Sequence, residues 1–177
     1  MIFGDRRGRS LFYGVVLRNS IQNDALFKEI SSVLNPIGIL VVDARKDEHR
    51  DTTHVVVIIT TKEHTAGIEE CTKAHRILFP RLSLLQGERH LDLEVSTPGI
   101  QRNFRDVYEF SLFSGKRCRV YDTKKNAWVE GIISSVEGES VVLTQAQIED
   151  SSEIHMEYII QYSHIQKAKL AYAWEDM

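Results

Sequence analysis

The sequence predicts an α+β fold, built as an N-terminal α-β-β-α-β sandwich domain followed by a small C-terminal all-β barrel. Three observations predict it. Helical and strand periodicities interleave over residues 20–97, the texture breaks at Ser96-Thr97-Pro98-Gly99, and short strand-like runs separated by turns fill the rest. The chain has 177 residues, 42% of them hydrophobic, which suffices for one good core or two small ones and excludes wholesale disorder. No apolar run is long enough for a transmembrane helix. Two cysteines, Cys71 and Cys118, are too few for a disulfide framework and fit a reducing cytoplasm.

Arg6, Arg7 and Arg9 precede an apolar stretch from Leu11 to Leu17. It imitates a secretory signal, but Gly14 breaks it and no small-residue cleavage site follows. Residues 1–19 therefore read as a basic, poorly ordered extension. Leu26, Phe27, Ile30, Val33 and Leu34 recur at helical spacing until Pro36 and Gly38 stop the helix. Ile39 to Arg45 reads as a strand, and Thr53 to Thr61 as a second, central one. A second helix begins near Ala66, with Ile68, Cys71, His75 and Leu78 on one face, and Pro80 is expected to kink or close it. His90 to Val95 alternates as a half-buried strand should. This α+β unit spans 20–97.

Pro98-Gly99 has the composition of a type II turn, in which glycine supplies positive φ. Residues 98–114 form a linker with a helical turn from Arg105 to Phe113. Strands are expected at Gly115–Tyr121, Ala127–Ser135, Ser140–Thr144, Ile154–Gln161 and Gln166–Tyr172, with Gln145 to Ser152 as a loop. Lys124-Lys125-Asn126 and Glu137-Gly138-Glu139 read as hairpin tips. Five short strands over 115–177 fit a closed or nearly closed barrel of the SH3-like or Sm-like kind.

The net charge is only −3, which argues against a bulk polycation coating nucleic acid, but the charge is unevenly placed. Between Pro98 and Lys125 seven basic residues (Arg102, Arg105, Lys116, Arg117, Arg119, Lys124 and Lys125) face three acids, and beyond Asn126 two basic residues face nine. Such a chain can touch a polyanion with one face. The same clusters also read as ordinary solvated surface.

Catalytic patterns are missing: no Walker A loop, dinucleotide fingerprint, H-E-x-x-H or nucleophile elbow occurs. Ser96 reads as a turn-capping serine. His64, Cys71 and His75 are the best metal candidates, but the last two also belong to an apolar helix stripe, so core packing is the simpler account. No metal and no cofactor is expected. Asp92 and Glu94 read as the solvated face of a strand. Trp128 beside the lysine pair has two readings, a base-stacking platform or barrel packing.

Leu91-Asp92-Leu93-Glu94-Val95-Ser96-Thr97-Pro98-Gly99-Ile100 resembles the L-x-V-S-[ST]-P-G-[LI] signature of the bacterial ribosome maturation factor RimP family. Gly115-Lys116-Arg117-Cys118-Arg119-Val120 is similar to that family's G-K-x-V-x-V strand. Gly131-Ile132-Ile133 to Val136 with Val141-Val142-Leu143, and the close Ile165-Gln166-Lys167-Ala168-Lys169-Leu170, fit its later motifs. The run Gln101-Arg102-Asn103-Phe104 departs from the family's D-R-P-[LF]. The resemblance implies a non-enzymatic cytoplasmic factor with an Sm-like second domain. It also implies binding to the immature small ribosomal subunit, through rRNA and the decoding-centre ribosomal protein, with no membrane and as a monomer. The seven basic residues above are the contact candidates on charge and position, and Pro98 and Gly99 are assigned to the interdomain turn. Two rivals remain: an Sm-like module for non-ribosomal RNA, which predicts a ring oligomer, and a metal hydrolase using His64, Cys71 and His75.

Overall fold

The computed structural model describes residues 17–87 and 89–172. Of the expected N-terminal extension, residues 1–16 lie outside the described residues. Leu17 buries its side chain, and Arg18 donates its N–H to the Arg105 carbonyl (3.0 Å) and accepts from Val107 (2.8 Å).

The first sheet is built from β1 (Ile39–Glu48), β2 (Thr52–Thr61) and β3 (His90–Ser96), in that order, with β1–β2 antiparallel and β2–β3 parallel. A parallel pair needs a crossover, and α2 (Ile68–Gln86) supplies it. The first helix, α1 (Ala25–Leu34), starts where the Asp24 carboxylate accepts the Phe27 N–H at 2.9 Å. It presents Phe27, Ile30 and Leu34 to the sheet. These side chains join Val41, Val55, Val57, Ile59, Leu78, Leu82, Leu91 and Leu93 in one apolar core. The α-β-β-α-β order is the expected one.

Three expectations for this half are corrected. Pro80 does not close α2, which continues to Gln86. Pro80 sits on the exposed side and removes one N–H, while Leu82, two residues on, is buried and holds the remaining turns to the sheet. Ile68 is not on the buried face; it is 84% exposed, and Ala74, Leu78 and Leu82 make that face, with Cys71 at its margin. Gly99 lacks the positive φ that a type II turn demands. The turn lies later, closed by the Arg102 N–H on the Gly99 carbonyl at 3.0 Å.

The second sheet contains β4 (Arg117–Asp122), β5 (Ala127–Glu137), β6 (Ser140–Ile148), β7 (Ile154–Gln161) and β8 (Ile165–Leu170). All neighbours are antiparallel in the order β7-β6-β5-β4-β8, so β7 and β8 are the two edges. Gln145 to Ile148 is strand, leaving a shorter loop than the polar composition implies, because Ala146 is fully buried opposite His155. A short helix, α3 (Tyr108–Leu112), packs Phe110 into the second core beside Phe104 and Phe113.

Gly131 is required by space. A Cβ there would lie 3.1 Å from Leu143 Cβ, 3.1 Å from the Thr144 carbonyl and 3.2 Å from Ala146 Cα. Gly131→Val is expected to lose about 1–3 kcal/mol by overpacking, seen as a lower urea midpoint with an unchanged slope. The cysteines differ as sharply. Cys118 is fully buried and burial pushes its thiol up to about 12; Cys71 is half-buried, its thiol raised by burial and then by Glu70. Iodoacetamide is therefore expected to label Cys71 before Cys118 in the native chain, and both at once in urea, by mass spectrometry.

Candidate nucleic-acid interface

β4 alternates strictly. Cys118, Val120 and Asp122 point into the second core, so Arg117, Arg119 and Tyr121 share its outer face. The register continues that face across both neighbours. Arg119 stands opposite Lys169 on β8 and Glu130 on β5, and Tyr121 opposite Lys167 and Trp128. The sheet thus joins cations from two distant stretches of sequence around two aromatic rings.

Trp128 is the centre of this face. The Arg119 guanidinium lies 5.4 Å and the Lys169 ammonium 5.8 Å from its ring centroid, both within cation–π range. Tyr121 meets the indole edge-on at 5.5 Å, its hydroxyl hydrogen-bonded to Asn126 Oδ1 at 2.8 Å. Arg119 also pairs with Glu149 at 3.0 Å and with Glu130 at 3.7 Å, and Arg117 reaches Glu130 at 3.7 Å. A groove of about 270 Å³ runs beside these groups, lined by Arg119, Trp128, Glu130 and Glu149. The face therefore offers cations and a ring, partly neutralised by two carboxylates.

The seven contact candidates do not gather here as a set. Arg117 and Arg119 lie on the face. Lys124 and Lys125 are exposed at the β4–β5 tip, beyond Tyr121. Lys116 is exposed at the opposite end of β4, at the rim of a cavity of about 90 Å³ shared with Thr60, His64, Thr97 and Gly99. His64 stacks near Phe113 (5.4 Å) and does not join Cys71 and His75; its imidazole is held below its usual pKa by burial and then by Lys116. His75 stacks on Phe79 instead, one turn along α2 and outside the first core, so the expected core packing holds for Cys71 at the margin and not for His75.

Arg102 is a correction. Its side chain is 8% exposed and makes a two-pronged pair with the fully buried Glu109, Nε to Oε2 at 2.6 Å and Nη2 to Oε1 at 3.1 Å. Arg102 Nη2 also lies 3.5 Å from Asp43 Oδ2, which Arg105 approaches at 3.3 Å. Glu109 Oε1 accepts the Arg105 N–H at 2.7 Å. Burial pushes the Glu109 carboxyl above its usual range, opposed by Arg102 and the Arg105 N–H. These groups hold the linker against β1, and an arginine side chain 8% exposed and paired with two carboxylates is poorly placed to reach a phosphate. Arg105 is half-committed to the same cluster, its side chain 39% exposed.

A bulge puts Asp43 there. The register slips between Val41 and Asp43, so Val41 faces the first core while Val42 enters the second and Asp43 follows on the same side. Nearby, Asp106 caps two chain starts, with Oδ2 accepting from Ser20 (2.9 Å) and Ile21 (3.0 Å) and Oδ1 from Tyr108 (2.9 Å). Pro98 and Gly99 precede this cluster at the end of β3, beside the turn closed on Gly99.

Residues 29–101 match the model of the RimP N-terminal domain. A protein of Borrelia turicatae called ribosome maturation factor RimP is 26% identical over 151 residues, which is 85% of this chain and 97% of that one. The protein of the same name from Borrelia garinii subsp. bavariensis is 24% identical, over 84% of this chain and 95% of its own. The domain model and the RimP-named relatives, matched over most of the chain, together support the RimP family. Among solved structures, an SmAP (LSm) protein from Methanococcus vannielii is similar over 36% of this chain and 91% of its own, at 17% identity and a TM-score of 0.32.

The face described above contains two residues that charge counting along the sequence passes over. Lys167 and Lys169 fall in the acidic C-terminal stretch and become neighbours of Arg119 and Tyr121 only through the β4–β8 ladder. The signal was present in the close Ile165 to Leu170, where the lysines alternate with the inward-facing Ala168 and Leu170.

Proposed function

We propose that this chain is a ribosome maturation factor that binds the immature small ribosomal subunit and assists its assembly by contact, with no covalent step. The observation that carries the reading is the outer face of β4, β5 and β8, where Arg117, Arg119, Lys167 and Lys169 surround Trp128 and Tyr121. Cations neutralise backbone phosphates and the indole stacks an unpaired base, a combination suited to rRNA loops. Glu130 and Glu149 hold the net charge of the face down, which keeps binding reversible, as an assembly factor that must leave requires. Lys116, Lys124 and Lys125 extend the contact at the two ends of β4, with Arg105 as a partial contributor. The chain works in the cytoplasm as two domains, residues 20–97 and 115–177, joined by residues 98–114.

One observation disfavours the rival reading of a ring-forming RNA module. A ring closed edge to edge needs both edges of the second sheet free. The linker already bonds the β8 edge, with Phe104 N–H on the Ala168 carbonyl at 2.8 Å and Leu170 N–H on the Arg102 carbonyl at 2.9 Å. The covered β8 edge favours a monomer on the subunit.

Sedimentation of the tagged chain through gradients of cell lysate tests the reading. It is expected to travel with free small subunits at low salt and to leave them as salt rises. Migration at the top of the gradient at every salt concentration sinks it.

A further inference from the structure

Of the four sheet edges among the described residues, β7 is the one that exposes large apolar side chains. The β1 edge bears Arg45, Lys46, Asp47 and Glu48, and β3 presents Asp92 and Glu94. The linker covers β8. Among the described residues strand β7 has no partner beyond β6, and it exposes Ile154 (63%), Met156 (79%) and Ile159 (61%). Proteins normally blunt such an edge with lysine, proline or a covering segment, because its unpaired N–H and C=O groups template further pairing. Among the described residues β7 carries no lysine, no proline and no covering segment, and Glu157 is its one carboxylate.

The surroundings say what the edge is suited to hold. Residues 126–166 contain seven acids and no lysine or arginine. Glu153 and Glu157 lie at and within β7, and Glu149 and Asp150 lie in the loop before it. By strand alternation Ile154 and Met156 fall on one side and Ile159 on the other, so an added strand meets apolar anchors on both faces. A second copy fits poorly. Antiparallel self-pairing would bring Glu153 and Glu157 of two chains onto one ladder, with no cation on the strand to relieve them.

We propose that β7 is a docking edge for an extended, basic segment of another protein, which adds to the second sheet as a sixth strand with lysines or arginines over the acidic rim. The inference does not rest on the ribosomal reading. It gives the second sheet two opposite chemistries, a cationic aromatic face around β4 and β8 and an acidic apolar edge at β7.

The test uses the full chain and a soluble peptide of about ten residues alternating lysine and valine, enough to match β7, beside its glutamate-for-lysine counterpart. The lysine peptide is expected to bind, the glutamate peptide not, and amide exchange is expected to slow at residues 154–161. Met156→Lys and Glu157→Lys, both at exposed positions, are each expected to weaken binding by about tenfold or more. Failure of the lysine peptide to bind overturns the proposal. So does binding that both variants leave unchanged, or protection confined to residues outside β6 and β7. A concentration-dependent dimer abolished by Met156→Lys overturns it too, by assigning the edge to a second copy.

Discussion

Glu109→Ala is expected to cost about 3–5 kcal/mol of folding stability, because it strands the Arg102 guanidinium as an uncompensated buried charge. Arg102 is enclosed, and its other carboxylate neighbour among the described residues, Asp43, is already shared with Arg45 and Arg105. The mutation also orphans the Arg105 N–H that Glu109 accepts at 2.7 Å. Arg102→Met with Glu109→Leu is expected to recover most of the loss, since an apolar pair of similar volume removes both desolvation costs. Equal destabilisation of the single and double variants in urea titrations would refute the buried-pair account. The pH dependence has a definite sign. The Glu109 carboxyl is raised above its ordinary 4.5 in the folded chain, so the fold holds its proton more tightly than the unfolded chain does. Its contribution is therefore fully present below about 4.5 and is lost as pH rises through the folded value. Glu109→Ala is expected to remove that component of the pH profile.

The elements of the fold were legible in the sequence because their burial is periodic. His90 to Val95 alternates on the page and alternates in the sheet, and Ile154 to Gln161 is bounded as the pattern gives it. The errors share a cause, which is tertiary structure overriding a local rule. Pro80 breaks helices in isolation, but Leu82 anchors the chain beyond it. Gly99 has turn composition without turn dihedrals, because the hydrogen bond forms on its carbonyl. The site was less legible than the fold. Charge along the chain groups Arg102 with Arg117, whereas the fold buries the first and leaves the second half-open on the outer face. The bulge at Val42 that brings Asp43 to Arg102 leaves no periodic trace, though a lone acid inside the run Ile39 to Ala44 was a mark of a buried partner.

Reversing Lys167 and Lys169 together to glutamate is expected to weaken binding to immature small subunits by well over tenfold while leaving the melting temperature nearly unchanged. Both side chains leave the sheet on its outer face, and neither carries a carboxylate partner among the described residues, so their loss opens no cavity and breaks no ion pair. If each touches one phosphate, the slope of log K against log salt falls by about 1.4–1.8. Trp128→Ala acts differently. It removes a stacking surface worth about 1–3 kcal/mol per base and leaves the salt slope where it was. Glu130→Gln reverses the sign: it frees Arg117 and Arg119 from their shared carboxylate, and binding is expected to tighten with a steeper slope. The three variants separate charge, stacking and internal neutralisation on one face. Uniform weakening by all three, with an unaltered salt dependence, would mean that this face supports the fold and that the subunit is touched elsewhere.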